Sequence, residues 1–374
     1  MSAIYVAPNQ TFDKIVGLHG QSFATLFVIY AGASVSANAL VAGGYCAAPR
    51  IQMTGLDGIS TLKRYKRSGV NYGYMWDEDT DTAGPMLSPS VSGITVPATV
   101  PTPDVVFAAT SEADRDTITD AAFWQGQGDE SGGLLEAERT LWTDSHISAI
   151  EFYRETIVNR AGDATPRTGS DVRIHLDQIG RRIQSSTTVS CQIIREQKIA
   201  VAAAMTNVQI CGEFYDLELV CEVDPDQPTN EHMTDKGFAD AGMRLAESVI
   251  AGGGARLLGP VVASVTLATS TRVDVVITVE SGETLVKPAR PTCLRFEING
   301  VATVPASYAW SGNTLQCTFT SPITGGTGRF FPIYGSCSDF DRDAYIHYAD
   351  ATSSAHPYYG YSNMPLRSGL PITF

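Results

Sequence analysis

Three short stretches, far apart in a chain of 374 residues, carry residue types that together do acyl-transfer chemistry. Gly20-Gln21-Ser22 places a serine just after the apolar run Ile15-Val16-Gly17-Leu18-His19, where a strand would end. A serine on a tight strand-to-helix turn is exposed, and its own N–H points to where an oxyanion forms. Phe123-Trp124-Gln125-Gly126-Gln127-Gly128-Asp129 sets two aromatics before a polar, glycine-rich loop. An amide side chain there can donate to a developing oxyanion, and glycine lets the backbone come close. The same residues also read as a plain loop behind a buried aromatic strand. Thr229-Asn230-Glu231-His232 puts a histidine just before a helix that Thr234 can cap. From there an imidazole can act as general base toward a serine on a neighbouring strand end. Taken singly, each stretch is commonplace.

The elements that must position these residues follow from periodicity. Up to about residue 252, apolar runs alternate with helical patterns, as in a layered α/β domain. Residues 15–19 read as a short buried strand, and 23–31 as a buried helix that is also β-prone. Val105 to Ala108 reads as a weak strand after a proline-rich stretch. From Glu136 to Ala161 the apolar positions Leu141, Ile147, Ile150, Tyr153, Ile157 and Val158 repeat near 3.6 residues, which predicts a helix. Gln192 to Met205 predicts another, followed by a strand at Val208 to Cys211. Asp235 to Ile250 predicts a third, capped by Thr234 and stopped by Gly252-Gly253-Gly254. Beyond the triple glycine, strand signals at 261–267, 273–279, 294–298, 315–319 and 345–348 alternate with turn residues. That spacing predicts a β-sandwich over 255–374, after an α/β domain over 1–252.

In this order and spacing the three stretches resemble the SGNH/GDSL hydrolase superfamily, and within it the sialate O-acetylesterase-like carbohydrate esterases. That family carries a G-Q-S block, a W-x-Q-G-E-x-D type block and a late D-x-H or D-x-x-H block. Ile194-Arg195-Glu196-Gln197, Asn207-Val208-Gln209-Ile210, and Gly237 with Gly242-Met243-Arg244-Leu245-Ala246 look like further family segments. The resemblance covers roughly residues 13–250. It implies a three-layer domain around a parallel sheet, with Ser22 as nucleophile and His232 as base. It assigns the oxyanion to the Ser22 N–H, the Gln125 side chain and a glycine N–H near residues 55–60, for which Gly58 is the candidate. Asp129 matches the acid closing the second block and would be a structural hydrogen-bonder.

Two positions depart from the pattern. The family's glutamate in the second block is Gln127 here. The acid expected before the histidine is replaced by Asn230 or Thr229. Asparagine can orient an imidazole but cannot supply the charge that stabilises imidazolium. Turnover should then be slower unless Glu231, Asp226 or Asp224 substitutes. The implied activity is removal of O-acetyl groups from a glycan, without metal or organic cofactor. An inert relative that binds carbohydrate or serves structurally is the alternative.

Composition narrows the partners. The chain has 26 Lys plus Arg against 40 Asp plus Glu, a formal net charge of −14 that would repel phosphate backbones. Nucleic acid is therefore not expected, and a neutral or weakly charged acetylated sugar is. With 43% hydrophobic and 18% charged residues, a sizeable core is expected rather than disorder. No run approaches the roughly 18 apolar residues that span a bilayer. The N-terminus, Met1 to Gln10, lacks the pattern of a signal peptide. Domains of this kind also occur in phage tail and receptor-binding proteins, and Ser362 to Arg367 looks like the end of such chains. A virion component acting on a bacterial surface polysaccharide, beside other virion proteins, is the expected setting. A cytoplasmic esterase is the alternative, and homo-oligomerisation is left open. Seven cysteines with no CxxC pair indicate neither a disulfide framework nor a zinc site. The acidic runs Asp77 to Asp81 and Asp339 to Asp343 lack the glycine and glutamate of an EF-hand and read as solvated loops. His19 reads as a packed residue, while His146 and His175 sit in helical or loop contexts with no partner visible. Tyr345, Tyr348, Tyr358, Tyr359 and Tyr361 could stack on sugar rings, though at least half read as core.

Overall fold

The computed structural model describes residues 13–20, 22–55, 75–77, 80–88, 102–126, 129, 136–165, 167–181, 188–223, 232–252, 259–279, 283–333, 341, 344–348, 366 and 372–373. The first half is built on five parallel strands: β1 (Lys14–Gly20), β2 (Pro49–Gly55), β5 (Asp120–Trp124), β6 (Arg173–Gln178) and β7 (Val208–Glu213). Their order across the sheet is β2-β1-β5-β6-β7. A two-stranded hairpin, β3 (Trp76–Asp77) with β4 (Thr82–Ala83), stands apart from it.

Strand alternation sends neighbouring side chains to opposite faces, and each face has its own core. Ile15, Ala121, Phe123, Ile174 and Leu176 pack against one set of helices. These are α3 (Pro103–Ala108), α5 (Arg139–Val158) and α6 (Thr188–Ala204), with α4 (Glu112–Asp116) beside them. Val16, Leu18, Ala122 and Trp124 pack against α1 (Ser22–Ile29), α2 (Ala31–Ala42) and α8 (Asp235–Ala251). The short α7 (Val220–Val223) precedes α8. The domain is therefore three layers, helices on both faces of a parallel sheet.

Local chemistry explains the helix ends. Thr234 caps α8 by accepting the Gly237 N–H at 3.1 Å, and Asp235 complements the N-terminal dipole. Gly252 ends α8 in the left-handed region, at φ +57°. Pro103 opens α3 at a position where no N–H is needed, so Val105 to Ala108 is helix rather than the expected strand. Residues 22–42 form two helices, because Tyr30 turns to an extended conformation between them.

All described elements after Ala251 are strands. One sheet has the order β13-β14-β9-β8: β13 (Ser307–Ser311), β14 (Thr314–Thr318), β9 (Arg272–Thr278) and β8 (Val261–Thr269). The other is β12 (Val301–Thr303), β11 (Arg295–Ile298), β15 (Thr327–Phe331) and β17 (Ile372–Thr373), in that order. Val273, Val275 and Leu315 of the first share a core with Phe296 and Phe330 of the second. A short pair, β10 (Leu285–Val286) with β16 (His347–Tyr348), lies beside them. Tyr345 and Tyr348 are buried rather than presented to solvent, and Tyr358, Tyr359 and Tyr361 lie outside the described residues.

The two halves meet through buried polar groups. The Arg195 guanidinium donates to the carbonyls of Ile179 and Gly180 on its own side and to Ile333 across the junction, at 3.1, 2.9 and 3.1 Å. It lies over the Tyr215 ring, 4.4 Å from its centre, and the Tyr215 hydroxyl donates to Leu366 O at 2.6 Å. Tyr215, Cys293, Ile333 and Tyr345 form a small shared core. Cys46, Cys191, Cys211 and Cys317 are not in disulfides. Cys293 is disulfide-bonded, a bond that the cysteine spacing did not indicate.

Candidate active site

Chain-order renumbering of the five parallel strands gives the order 2-1-3-4-5, in which successive crossovers leave β1 in opposite directions. In such sheets ligands bind outside the carboxyl ends of the strands, where the order reverses. That point lies between β1 and β5, whose last residues, Gly20 and Trp124, are paired. Ser22 opens α1 two residues beyond Gly20, and Gln125 follows Trp124 directly. Gly20 is required by this closeness. A Cβ there would sit 2.5 Å from the Trp124 carbonyl oxygen and 2.9 Å from Ala24 Cβ.

The second stretch continues the same edge. Gln125 is fully buried, and its Nε2 lies 3.4 Å from Oδ2 of the equally buried Asp129. Gly126 adopts φ +133°, and a Cβ there would come within 2.9 Å of Ile194 Cγ2. Only glycine makes this turn against α6 without strain. Gln127, Gly58 and Asn230 lie outside the described residues, as do Thr229, Glu231, Asp224 and Asp226.

His232 sits half-buried at the entry to α8. Its carbonyl accepts from Val220 N at 2.9 Å, and Thr234 N donates to Glu218 O at 3.0 Å. Glu218 also accepts from the Thr234 hydroxyl at 2.8 Å. The bidentate pair of Arg244 with Asp216, at 2.8 and 2.7 Å, ties α8 to the segment after β7. Further along α8, the Phe238 ring packs 5.2 Å from that of Phe23, the residue following Ser22. The helices that begin near Ser22 and His232 thus converge on one aromatic cluster, which also takes in Trp124 and Phe214.

The remaining histidines described in this half are buried in the layers. His19 hydrogen-bonds Thr54 through Nδ1 at 2.9 Å and stacks on Phe123; burial pushes its pKa down to about 3. That matches a packed residue rather than a base. His146, on α5, lies against Trp142 and Phe123, and burial followed by the nearby Lys198 cation holds it well below its ordinary value.

His175 corrects the sequence reading most. It lies on β6, fully buried, with Nδ1 2.8 Å from Ser248 Oγ and Nε2 2.9 Å from Asp120 Oδ1. Burial works to raise the Asp120 pKa, but hydrogen bonds from His175 and Tyr45 and the Arg173 charge outweigh it and hold the carboxyl low. This is the connectivity of a Ser-His-Asp triad, yet it cannot serve as one. Ser248, His175 and Asp120 are all at most 1% exposed. Asp120 also begins β5, so the chain of bonds lies at the amino end of the sheet, away from the switch point. Residues separated by more than 120 positions meet here, a juxtaposition that no local pattern announces.

One further ionic feature borders the edge. Lys198 Nζ and Asp177 Oδ1 pair at 2.5 Å with both side chains wholly buried. Among the described residues no group of three or more His, Cys, Asp or Glu is placed to hold a metal ion. Asp81 instead accepts from Trp76 Nε1 at 3.0 Å.

No family model matches the sequence, and no curated protein matches it. Among solved structures, the chain is similar to a carbohydrate acetylesterase from Xanthomonas citri, with a TM-score of 0.54 at 14% identity. The likeness covers 91% of this chain and 64% of that one, so the chain spans under two thirds of the acetylesterase's length. At this identity the likeness is one of fold: an α/β domain with a five-stranded parallel sheet, followed by antiparallel β-sheets.

Proposed function

We propose that the chain is a serine esterase of SGNH type that removes O-acetyl groups from a polysaccharide. The observation that carries this reading is the pairing of Gly20 with Trp124 at the switch point, which puts Ser22 and Gln125 at adjacent strand ends. The fold likeness to a carbohydrate acetylesterase points the same way. Ser22 Oγ attacks the acetyl carbonyl, and His232 takes its proton and returns it to the departing sugar hydroxyl. The Ser22 N–H, Gln125 and a glycine N–H, for which Gly58 is the candidate, hold the oxyanion. Water, deprotonated by His232, then attacks the acetyl-enzyme and releases acetate. Asp129 orients Gln125, and Gln127 takes the place of the family's glutamate. Asn230 orients the imidazole.

With a net charge of −14, a neutral or weakly charged acetylated sugar is the proposed substrate class. The proposed setting is a virion protein meeting a bacterial surface. A disulfide at Cys293 suits work outside a reducing cytoplasm.

The test is hydrolysis of p-nitrophenyl acetate by wild type, Ser22→Ala and His232→Ala, followed by acetate release from acetylated polysaccharide. The esterase reading expects both variants to lose several orders of magnitude in kcat. The asparagine at position 230 favours a second reading, an inert carbohydrate-binding relative. Equal rates for wild type and His232→Ala would establish that one instead.

A further inference from the structure

Lys198 and Asp177 form an ion pair with no solvent exposure on either side chain. Such a pair is a poor source of stability, because the cost of taking both charges out of water offsets most of their attraction. Its position is more telling. Lys198 lies on α6, one turn beyond Ile194 and Arg195, and Asp177 lies near the carboxyl end of β6. A Cβ built on Gly126 would meet Ile194 Cγ2 at 2.9 Å, Ile179 Cγ2 at 3.4 Å and Lys198 Cε at 3.5 Å. The Lys198 stem is thus part of the wall against which the turn after Gln125 rests.

The rest of α6 holds the same strand end. Arg195 donates to the carbonyls of Ile179 and Gly180, and Gln178 Nε2 donates to Arg195 O at 3.1 Å. Strand end, helix and glycine turn form one clamped unit, with the lysine ammonium and the aspartate locked inside it.

We propose that Lys198, through its buried pair with Asp177, is a positioning residue of the esterase site that fixes the Gln125–Gly126 turn. The proposal rests on the esterase reading above, and it adds a residue that none of the three sequence blocks contains. An oxyanion donor works only where it is held in place before charge develops. A misplacement of about 1 Å can cost about 100-fold in rate.

The experiment compares full-length wild type with Lys198→Met, Lys198→Arg and the double variant Lys198→Met/Asp177→Asn, using p-nitrophenyl acetate and thermal melting. The single methionine variant takes the Lys198 charge away from buried Asp177 and can fail to fold. The double variant removes both charges, so it keeps the test open. A positioning role expects kcat of the folded double variant to fall by roughly 10- to 100-fold with KM little changed. It also expects partial recovery of kcat in Lys198→Arg. A double variant with wild-type kcat overturns the proposal, whatever its melting temperature. Ser22→Ala, run alongside, separates the two layers of inference. If it leaves the wild-type rate unchanged, the esterase reading fails and takes the proposal with it. If it abolishes a rate that the double variant keeps, only the positioning role is lost.

Discussion

Phe23 and Phe238 pack with their rings 5.2 Å apart, so the residue after Ser22 and the helix that His232 introduces share one cluster. Both side chains are at most 3% exposed. The contact is hydrophobic and spans 215 positions of sequence, and on the proposed reading it fixes the base relative to the nucleophile.

Removing that contact should act on both stability and rate. Phe238→Ala is expected to cost about 3–5 kcal/mol, as for other buried aromatics. It should also lower kcat of the folded fraction more than it changes KM. Urea denaturation and p-nitrophenyl acetate kinetics on one preparation check this; a destabilised variant with unchanged kcat would count against the coupling.

The buried Ser248–His175 pair and the proposed pair of Ser22 with His232 should separate by function. Ser248→Ala removes one partner of His175 Nδ1, leaving the longer 3.3 Å contact from Gln209. The expected cost is about 1–3 kcal/mol of stability. Ester hydrolysis should be unchanged, whereas Ser22→Ala should abolish it. Loss of turnover in a well-folded Ser248→Ala protein would mean that the wrong pair has been assigned the chemistry.

Acid should destabilise the fold through its buried histidines. His19 is held at about 3, against an ordinary value of 6.5. Between these values the unfolded chain binds a proton that the folded one refuses. Stability therefore falls as pH drops from about 6.5 toward 3, by up to about 1.4 kcal/mol per unit. His146, also depressed by burial, acts in the same direction. Above pH 6.5 neither adds a slope. Urea midpoints at about pH 7 and about pH 5 should diverge in wild type and diverge less in His19→Gln, where His146 alone remains; equal divergence in both would refute the assignment.

The junction between the halves should depend on Arg195. Its guanidinium holds Ile179, Gly180 and Ile333 at once, and hydrogen bonds from a charged donor contribute about 1.5–3 kcal/mol each. Arg195→Met should cost at least about 3 kcal/mol. Limited proteolysis should then release the C-terminal strands before the α/β domain is cut. Simultaneous loss of both halves would show that other contacts dominate.

Much of the architecture was legible from residues alone. Period-3.6 apolar spacing marked α5, and Thr234 with Gly252 bracketed α8. Turn residues between short apolar runs marked several sandwich strands. Of the five parallel strands, β2 and β6 escaped, whose sequences PRIQMTG and RIHLDQ mix polar with apolar residues. Apart from Arg50 and Arg173, those polar residues are buried: Thr54 meets His19, His175 meets Asp120 and Ser248, and Asp177 meets Lys198.

The chain by itself determined which segments must leave water, where helices start and stop, and which residue types are available for acyl transfer. These follow from local composition and spacing, because each is settled within a few residues. Tertiary structure alone decided which polar groups lie at the switch point and which are sealed inside. Burying a charge or an imidazole is tolerable only beside a suitable partner, and those partners are supplied by strand order. His175 and His232 differ little as letters in a sequence. One is locked between Asp120 and Ser248 at the amino end of the sheet, and the other stands half-buried at the entry to α8.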